Sequence, residues 1–238
     1  MELQYTTADL GHIGSGFFST VNHAHWIGEN TTCVALKIYY EKYFNQELDV
    51  LKYLNEIDDH ERNYIIKMFG HGEKHGNYFI ALELGGKDLK KYYYERDPQE
   101  GKRKAKSNEE VLIKIVKGAA QALAQFHKYG VHRDIKHQNF VVSRDQDSNA
   151  EVVDVKLIDF NSSYLYEQNE RDFVENSKRN DITNFGAMVY RLFNEHYIIT
   201  GGLLATYDGN TLEFNRPVFD FILPLMKFRK ISNYNAKK

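Results

Sequence analysis

Apolar positions in the first 84 residues fall in short β-branched and aromatic runs broken by Gly, Asn and charged residues, a pattern of strands rather than long helices. Five strands are predicted, at 10–13, 19–25, 32–39, 64–71 and 77–84, with a turn at Gly28-Glu29-Asn30 joining the second and third. One stretch breaks this rhythm. Across 44–56, Leu48, Leu51 and Leu54 recur every third residue and predict an amphipathic helix with one apolar face. After Gly85-Gly86 the period lengthens, and 110–129 places Leu112, Ile113, Val116, Ala119, Ala120, Leu123 and Phe126 along one side of a longer helix. Two polar stretches interrupt the pattern. Residues 96–107, with Pro98, Gly101 and several Lys and Arg, read as a solvated loop, a basic docking patch being the alternative; 143–150 reads as a hairpin tip. The resulting class is α+β: a small β-rich N-terminal lobe with one main helix, about 1–84, and a larger helical C-terminal lobe, about 85–238.

Composition narrows the function. With 238 residues and 42% hydrophobic content the chain can bury a sizeable core. A formal charge of -2 gives no global field toward nucleic acid or an anionic membrane, so neither is an expected partner. The single cysteine, Cys33, has no internal disulfide partner, and residues 1–10 lack the basic start and apolar run of a signal peptide. A reducing compartment, cytosol or nucleus, is expected. No apolar stretch approaches the roughly 20 residues that cross a bilayer.

Two early features carry chemistry. Ile13-Gly14-Ser15-Gly16-Phe17-Phe18-Ser19-Thr20-Val21 lies between two predicted strands, where glycines let backbone approach a polyphosphate; a plain Gly-rich β-turn is the alternative. Val34-Ala35-Leu36-Lys37 puts a lysine in an otherwise apolar strand, where a buried ammonium needs an anionic partner. In that order, these segments resemble the eukaryotic protein kinase family, whose glycine-rich loop precedes a strand with a phosphate-binding lysine. The resemblance implies a two-lobed fold with ATP between the lobes. Ile13, Gly14, Ser15, Gly16 and Ser19 would then face nucleotide, Glu47 would pair with Lys37, and Val21, Ala35 and Val141 would surround adenine. Phe79-Ile80-Ala81-Leu82-Glu83-Leu84-Gly85 resembles the family's fifth strand and hinge, with backbone of Glu83 and Gly85 toward the base.

The most specific motif is Val131-His132-Arg133-Asp134-Ile135-Lys136-His137-Gln138-Asn139, which matches the family's catalytic loop at His, Arg, Asp and Asn with the Asp-to-Asn interval kept. The resemblance implies that Asp134 orients the acceptor hydroxyl and takes its proton, and that Asn139 binds Mg²⁺. Lys136 resembles the lysine with which Ser/Thr kinases contact the γ-phosphate, and His132 would be a packed structural residue. Ile158-Asp159-Phe160-Asn161 resembles the Asp-Phe-Gly element, with Asp159 as the second Mg²⁺ ligand and Asn161 in place of Gly. Asn tolerates positive φ, so the local backbone can be kept while the side chain restricts a peptide flip. Asp181, in Asp181-Ile182-Thr183-Asn184-Phe185-Gly186, resembles the aspartate that braces the catalytic loop from a buried helix. Leu51, Phe160 and His132 would pack in one column.

The chain also departs from the family. Only 21 residues separate Asp159 from Asp181, with no Ala-Pro-Glu triplet, so the usual peptide-docking segment is shortened. Ser162, Ser163, Tyr164, Tyr166 and Ser177 are hydroxyls that a phosphate could modify to pair with Arg133. Residues 217–228 resemble a helix near the end of the large lobe. The expected function is ATP- and Mg²⁺-dependent phosphoryl transfer to Ser or Thr of a protein substrate. A pseudokinase binding module is the alternative. A small-molecule kinase of the aminoglycoside or choline type shares the Asp and Asn, but Lys136 argues against it.

Overall fold

The structure, a computed structural model, describes residues 2–5, 11–17, 19–27, 32–39, 44–96, 99, 101–105, 108–144, 152–166, 171–200, 205–207 and 212–214. The Gly28–Asn30 turn, the tip of the 143–150 segment and the 217–228 helix lie outside these residues. Strands β1 (Glu2–Tyr5), β2 (His12–Ser15), β3 (Ser19–Ile27), β4 (Thr32–Tyr39), β5 (Met68–Lys74) and β6 (Asn77–Glu83) form one antiparallel sheet in the order β1-β3-β4-β6-β5. β2 and β1 share one edge of β3, β2 pairing through Asn22 and β1 from Ala24 onward. β1 is an addition to the expected strands.

The alternation of side chains decides what each face of β4 does. Val34 and Leu36 point to one side and are buried with Ala24 and Ala81. Cys33, Ala35, Lys37 and Tyr39 therefore share the other side, toward helix α1 (Phe44–Asn55). There Leu48, Leu51 and Leu54 join a core that runs on into the helical lobe. The 64–71 strand starts later than expected because Tyr64, Ile65 and Ile66 leave the sheet to pair with β11 (Val155–Leu157), through a bridge from Ile65 to Leu157.

Below β6 the chain passes through Leu84–Lys87 to α2 (Leu89–Tyr93), capped by the Asp88 carboxylate. Helix α3 (Glu109–Phe126) buries Leu112, Ile115, Val116, Ala119, Ala122, Leu123 and Phe126. Ile115 and Ala122 thus replace Ile113 and Ala120 in the seam, since the 3.6-residue turn centres the stripe there. Residues 96–107 contribute to a hairpin, β7 (Tyr94–Arg96) with β8 (Arg103–Ala105), not only a solvated loop. Two of its cations are paired: Arg103 reaches Glu195 at 2.6 Å and Lys104 reaches Glu95 at 3.4 Å.

Helix α4 (Arg171–Thr200) runs for 30 residues and starts ten residues before Asp181, so part of the expected loop is helical. Its far end is fastened by Tyr93 Oη to His196 Nδ1 at 2.8 Å, Tyr197 Oη to Glu109 at 2.8 Å and Lys90 to Glu195 at 2.7 Å. Three short antiparallel pairs complete the description: β9 (Gly130–Val131) with β12 (Tyr164–Leu165), β10 (Phe140–Val142) with β11, and β13 (Ala205–Tyr207) with β14 (Leu212–Phe214). None of the described helices is long and apolar enough to cross a membrane.

The crossing between the lobes is tightly packed at two glycines. A Cβ on Gly85 would sit 2.5 Å from Val141 Cγ2, and one on Gly86 would sit 2.5 Å from the Val142 carbonyl oxygen, to which Gly86 N–H already donates at 2.8 Å. Gly86→Ala should therefore destabilise the protein by ~1–3 kcal/mol, the range for overpacking. Urea unfolding of the variant measures it, and an unchanged midpoint would contradict this packing.

Candidate active site

Three elements deliver charge to one point beneath the sheet. Lys37 comes from β4, Glu47 from the first turn of α1 and Asp159 from the segment after β11. Lys37 Nζ lies 2.6 Å from Glu47 Oε2 and 2.8 Å from Asp159 Oδ1, with the lysine and the glutamate side chains 7% and 0% exposed. Burial works against the ammonium, but the Glu47 and Asp159 carboxylates more than offset it and hold the Lys37 pKa above the usual lysine value. For Asp159 the balance is the mirror image: burial pushes its pKa up, and Lys37 with Asn161 brings it below the ordinary carboxylate value. Tyr39, two residues along the same strand face, donates its hydroxyl to Glu47, and Phe160 N–H donates to the other Glu47 oxygen at 3.1 Å.

The catalytic-loop segment is held from below. Asp181, fully buried in α4, accepts the backbone N–H groups of His132 and Arg133 at 2.7 Å each and stands 3.0 Å from His127 Nε2. Those bonds sustain a left-handed backbone at Arg133, φ 66°; Asp159, at φ 68°, is the other such residue in the site. Each conformation costs ~1–3 kcal/mol in an isolated chain. Asn161 is not among the positive-φ residues. Its departure from Gly acts through the side chain instead, whose Nδ2 donates to Asp159 Oδ1 at 2.6 Å.

Asn139 ends a short 3-10 turn, His137–Asn139, and its side chain reaches back to Asp134. Asn139 Nδ2 donates to the Asp134 carbonyl at 2.7 Å and to Asp134 Oδ2 at 3.0 Å, while Lys136 Nζ reaches the same Oδ2 at 2.6 Å. Asp134 Oδ1 carries none of these bonds. His137 Nδ1 approaches Asp88 Oδ1 at 3.2 Å, tying the loop to the cap of α2. Sequence reasoning missed this tie, although Gly-Gly-Lys-Asp-Leu ahead of a helix signals a cap at Asp88.

Val21 stands opposite Lys37 and His23 opposite Ala35 across β3 and β4, so Val21 and Ala35 share the Lys37 face; Val141 packs from β10 beneath Gly85. Ile13, Gly14, Ser15 and Gly16 lie on or just after β2, whose turn is closed by Gly16 N–H to the Ser19 carbonyl at 2.9 Å. A Cβ at Gly14 or Gly16 would meet open space, leaving that turn unobstructed. Glu83 ends β6; its side chain pairs with Lys156 at 2.8 Å, and its N–H donates to the Lys67 carbonyl. A cavity of about 560 Å³ beside the crossing is lined by Thr32, Cys33, Phe69, Leu84 and Lys156 among others, and shares only Glu83 with the positions expected to contact nucleotide.

A family model described as "Protein kinase domain" matches residues 7–191, more than half of the chain. The chain belongs to the protein kinase family. The matched span holds every residue discussed above from Gly14 to Asp181, and its two-lobed α+β architecture is the family's. Among curated proteins no significant match is found. Family membership makes the chain a kinase-type phosphotransferase domain, with ATP and protein as the family's substrates.

The family's Mg²⁺ suits the donors of this kinase. Asp159 keeps an oxygen, Oδ2, outside its bonds to Lys37 and Asn161, and Asn139, its amide nitrogen committed to Asp134, keeps its amide oxygen; hard cations take such ligands. Asn161 Oδ1 is buried without a hydrogen-bond partner next to them.

Arg133 and the nearby hydroxyls depart from the expectation for a phosphate-responsive loop. The guanidinium stacks over Tyr164 at 4.7 Å and Phe173 at 5.5 Å from the ring centroids. Ser163 is buried and donates to the His132 carbonyl, Ser177 is buried on α4, and Tyr166 donates to the His127 carbonyl at 2.6 Å. None of these three stands ready for modification. Phe173 was invisible to motif reading because its contact depends on the early start of α4.

His132 is fully buried against Phe160, at 5.4 Å between ring centroids, and Phe126, at 6.0 Å. Its Nδ1 accepts from Asp134 N–H, so Nε2 carries the proton and donates to the Ile158 carbonyl at 3.0 Å. Burial lowers its pKa below 6.5, so the unfolded chain binds more protons once pH drops under that value. Stability from this residue is complete above pH ~6.5 and declines as pH falls toward the lower folded pKa. His132→Phe should be less stable at pH 7 yet lose less stability than wild type between pH 7 and 5.5. Urea unfolding across that interval measures it; His71 and His196, whose pKa values are also lowered, are common to both proteins.

Proposed function

We propose that this kinase transfers the γ-phosphoryl group of ATP to Ser or Thr hydroxyls of a protein substrate. The observation that carries this is the assembled charge centre: Lys37 meets Glu47 and Asp159 together, with Phe160 N–H on Glu47. Ile13, Gly14, Ser15, Gly16 and Ser19 would lie along the phosphates, Val21, Ala35 and Val141 against adenine, and the backbone of Glu83 and Gly85 at its edge. Lys37, held charged, would bind the α- and β-phosphates, with Glu47 as its anchor. Asn139 and Asp159 would hold Mg²⁺. Bound there, Mg²⁺ supplies charge neutralisation between the β- and γ-phosphates.

Asp134 orients the acceptor hydroxyl through its uncommitted Oδ1 and takes the proton, while Lys136, already 2.6 Å from Oδ2, lies ready to meet the γ-phosphate. That lysine supports Ser/Thr over Tyr acceptors. A second reading is favoured by one observation: α4 begins at Arg171, leaving little chain for a peptide-docking platform, which suits a nucleotide-binding scaffold without turnover.

The two readings separate in paired assays of the purified chain. With Mg²⁺ and labelled ATP, generic protein substrates should acquire label, and Asp134→Asn should reduce the rate by about 10²–10⁴-fold. A thermal shift on adding ATP and Mg²⁺ without any transfer would instead support the scaffold. Because Arg133 is satisfied by aromatic rings, prior phosphatase treatment should leave the transfer rate within about twofold, whereas Phe173→Ala should lower it; a phosphatase-induced collapse in rate would show that a phosphate, not the rings, holds Arg133.

A further inference from the structure

The face of the sheet that carries Val21, Ala35 and Lys37 does not end with them. Two and four residues beyond Val21 on β3 come His23 and His25, and two residues before Ala35 on β4 comes Cys33. The register sets His25 directly opposite Cys33 and His23 opposite Ala35, so alternation puts all three side chains on one face. His25 Nδ1 is 3.9 Å from Cys33 Sγ, the two imidazoles meet edge to face at 4.9 Å, and one potential ligand atom from each residue lies within 4.8 Å of the others. Cys33 is partly buried and also borders the cavity beside Glu83 and Leu84, which gives solutes a path to its sulfur.

We propose that His23, His25 and Cys33 form a binding site for a borderline divalent transition ion, Zn²⁺ in class, separate from the Asp159 and Asn139 oxygens. Two imidazoles and a thiol are the donor set that Zn²⁺ accepts and that Mg²⁺ and Ca²⁺ do not. Bonds of about 2.0–2.3 Å in a tetrahedron keep ligands roughly 3.3–3.7 Å apart. The observed separations therefore need to close by at most about 1.5 Å, within reach of χ rotations, while the β3–β4 ladder stays fixed. Binding releases the thiol proton, and a fourth position remains for water or an outside ligand. His25 is exposed and His23 half-buried, so the ion would enter from the open end of this face, beyond Ala35.

Cobalt provides a readout that belongs to this site alone, because Cys33 is the only cysteine in the chain. Titrating the chelator-treated full chain with Co²⁺, without nucleotide, should produce thiolate-to-cobalt charge-transfer absorption that saturates at one ion per chain and vanishes on adding Zn²⁺. Cys33→Ser should abolish the band, and His23→Ala or His25→Ala should each weaken affinity more than about tenfold, the loss that even outer-shell changes cause. In unaltered protein, one equivalent of Zn²⁺, but not Mg²⁺, should slow alkylation of Cys33, a test that needs no variant to fold. No charge-transfer band, saturation at one ion per two chains, equal affinity in the histidine variants, or alkylation indifferent to Zn²⁺ would each overturn the site.

Discussion

A nearly inaccessible ammonium is the constraint around which this molecule is organised. Lys37 remains charged only because two carboxylates from distant parts of the chain meet it, and removing one partner of such a buried pair typically costs ~3–5 kcal/mol. Satisfying it fixes the position of α1 relative to β4 and the path of the chain after β11. The same demand lines up Tyr39 and Phe160 N–H on Glu47, so the charge centre also joins the sheet, α1 and the aromatic packing of Phe160 with Phe126 and His132. Asp181 serves as a second hub, its buried carboxylate meeting two backbone N–H groups and the His127 imidazole.

The helix bearing Asp181 reaches the catalytic loop at a second point as well. Once α4 extends back to Arg171, Phe173 comes near enough to cover Arg133 and Tyr164. The Arg133 guanidinium, itself exposed, lies over two aromatic rings. Cation–π contact of this kind needs no modifying enzyme.

Much of the site was legible because its motifs are local. Asp134, Lys136 and Asn139 lie within six residues, and a short loop of that kind brings its own polar groups together wherever it folds. The Lys37 partner in α1 was legible too, as the helix periodicity and an apolar strand framed both ends. The less legible parts depend on contacts without a repeat. Residues 171–180 are polar nearly all round, so no apolar stripe announced the first turns of α4. β1 is four residues on a sheet edge, and β7 with β8 form a three-residue ladder, lengths at which pattern and loop are indistinguishable. At Asn161 sequence reasoning weighed backbone tolerance and a restricted peptide flip, but not the contact that the side-chain amide makes with Asp159.

The continuity of α4 has a mechanical meaning. Thirty helical residues make a rod about 45 Å long, stiff on the scale of the domain. One end lies beside Arg133, the other is clamped by Tyr93, Glu109 and Lys90, and Asp181 grips the catalytic loop between them. A tilt imposed at either end would reach His132 and Arg133 as a displacement of their backbone. The helix is therefore a lever on the two residues that precede Asp134, with Asp181 as its point of contact.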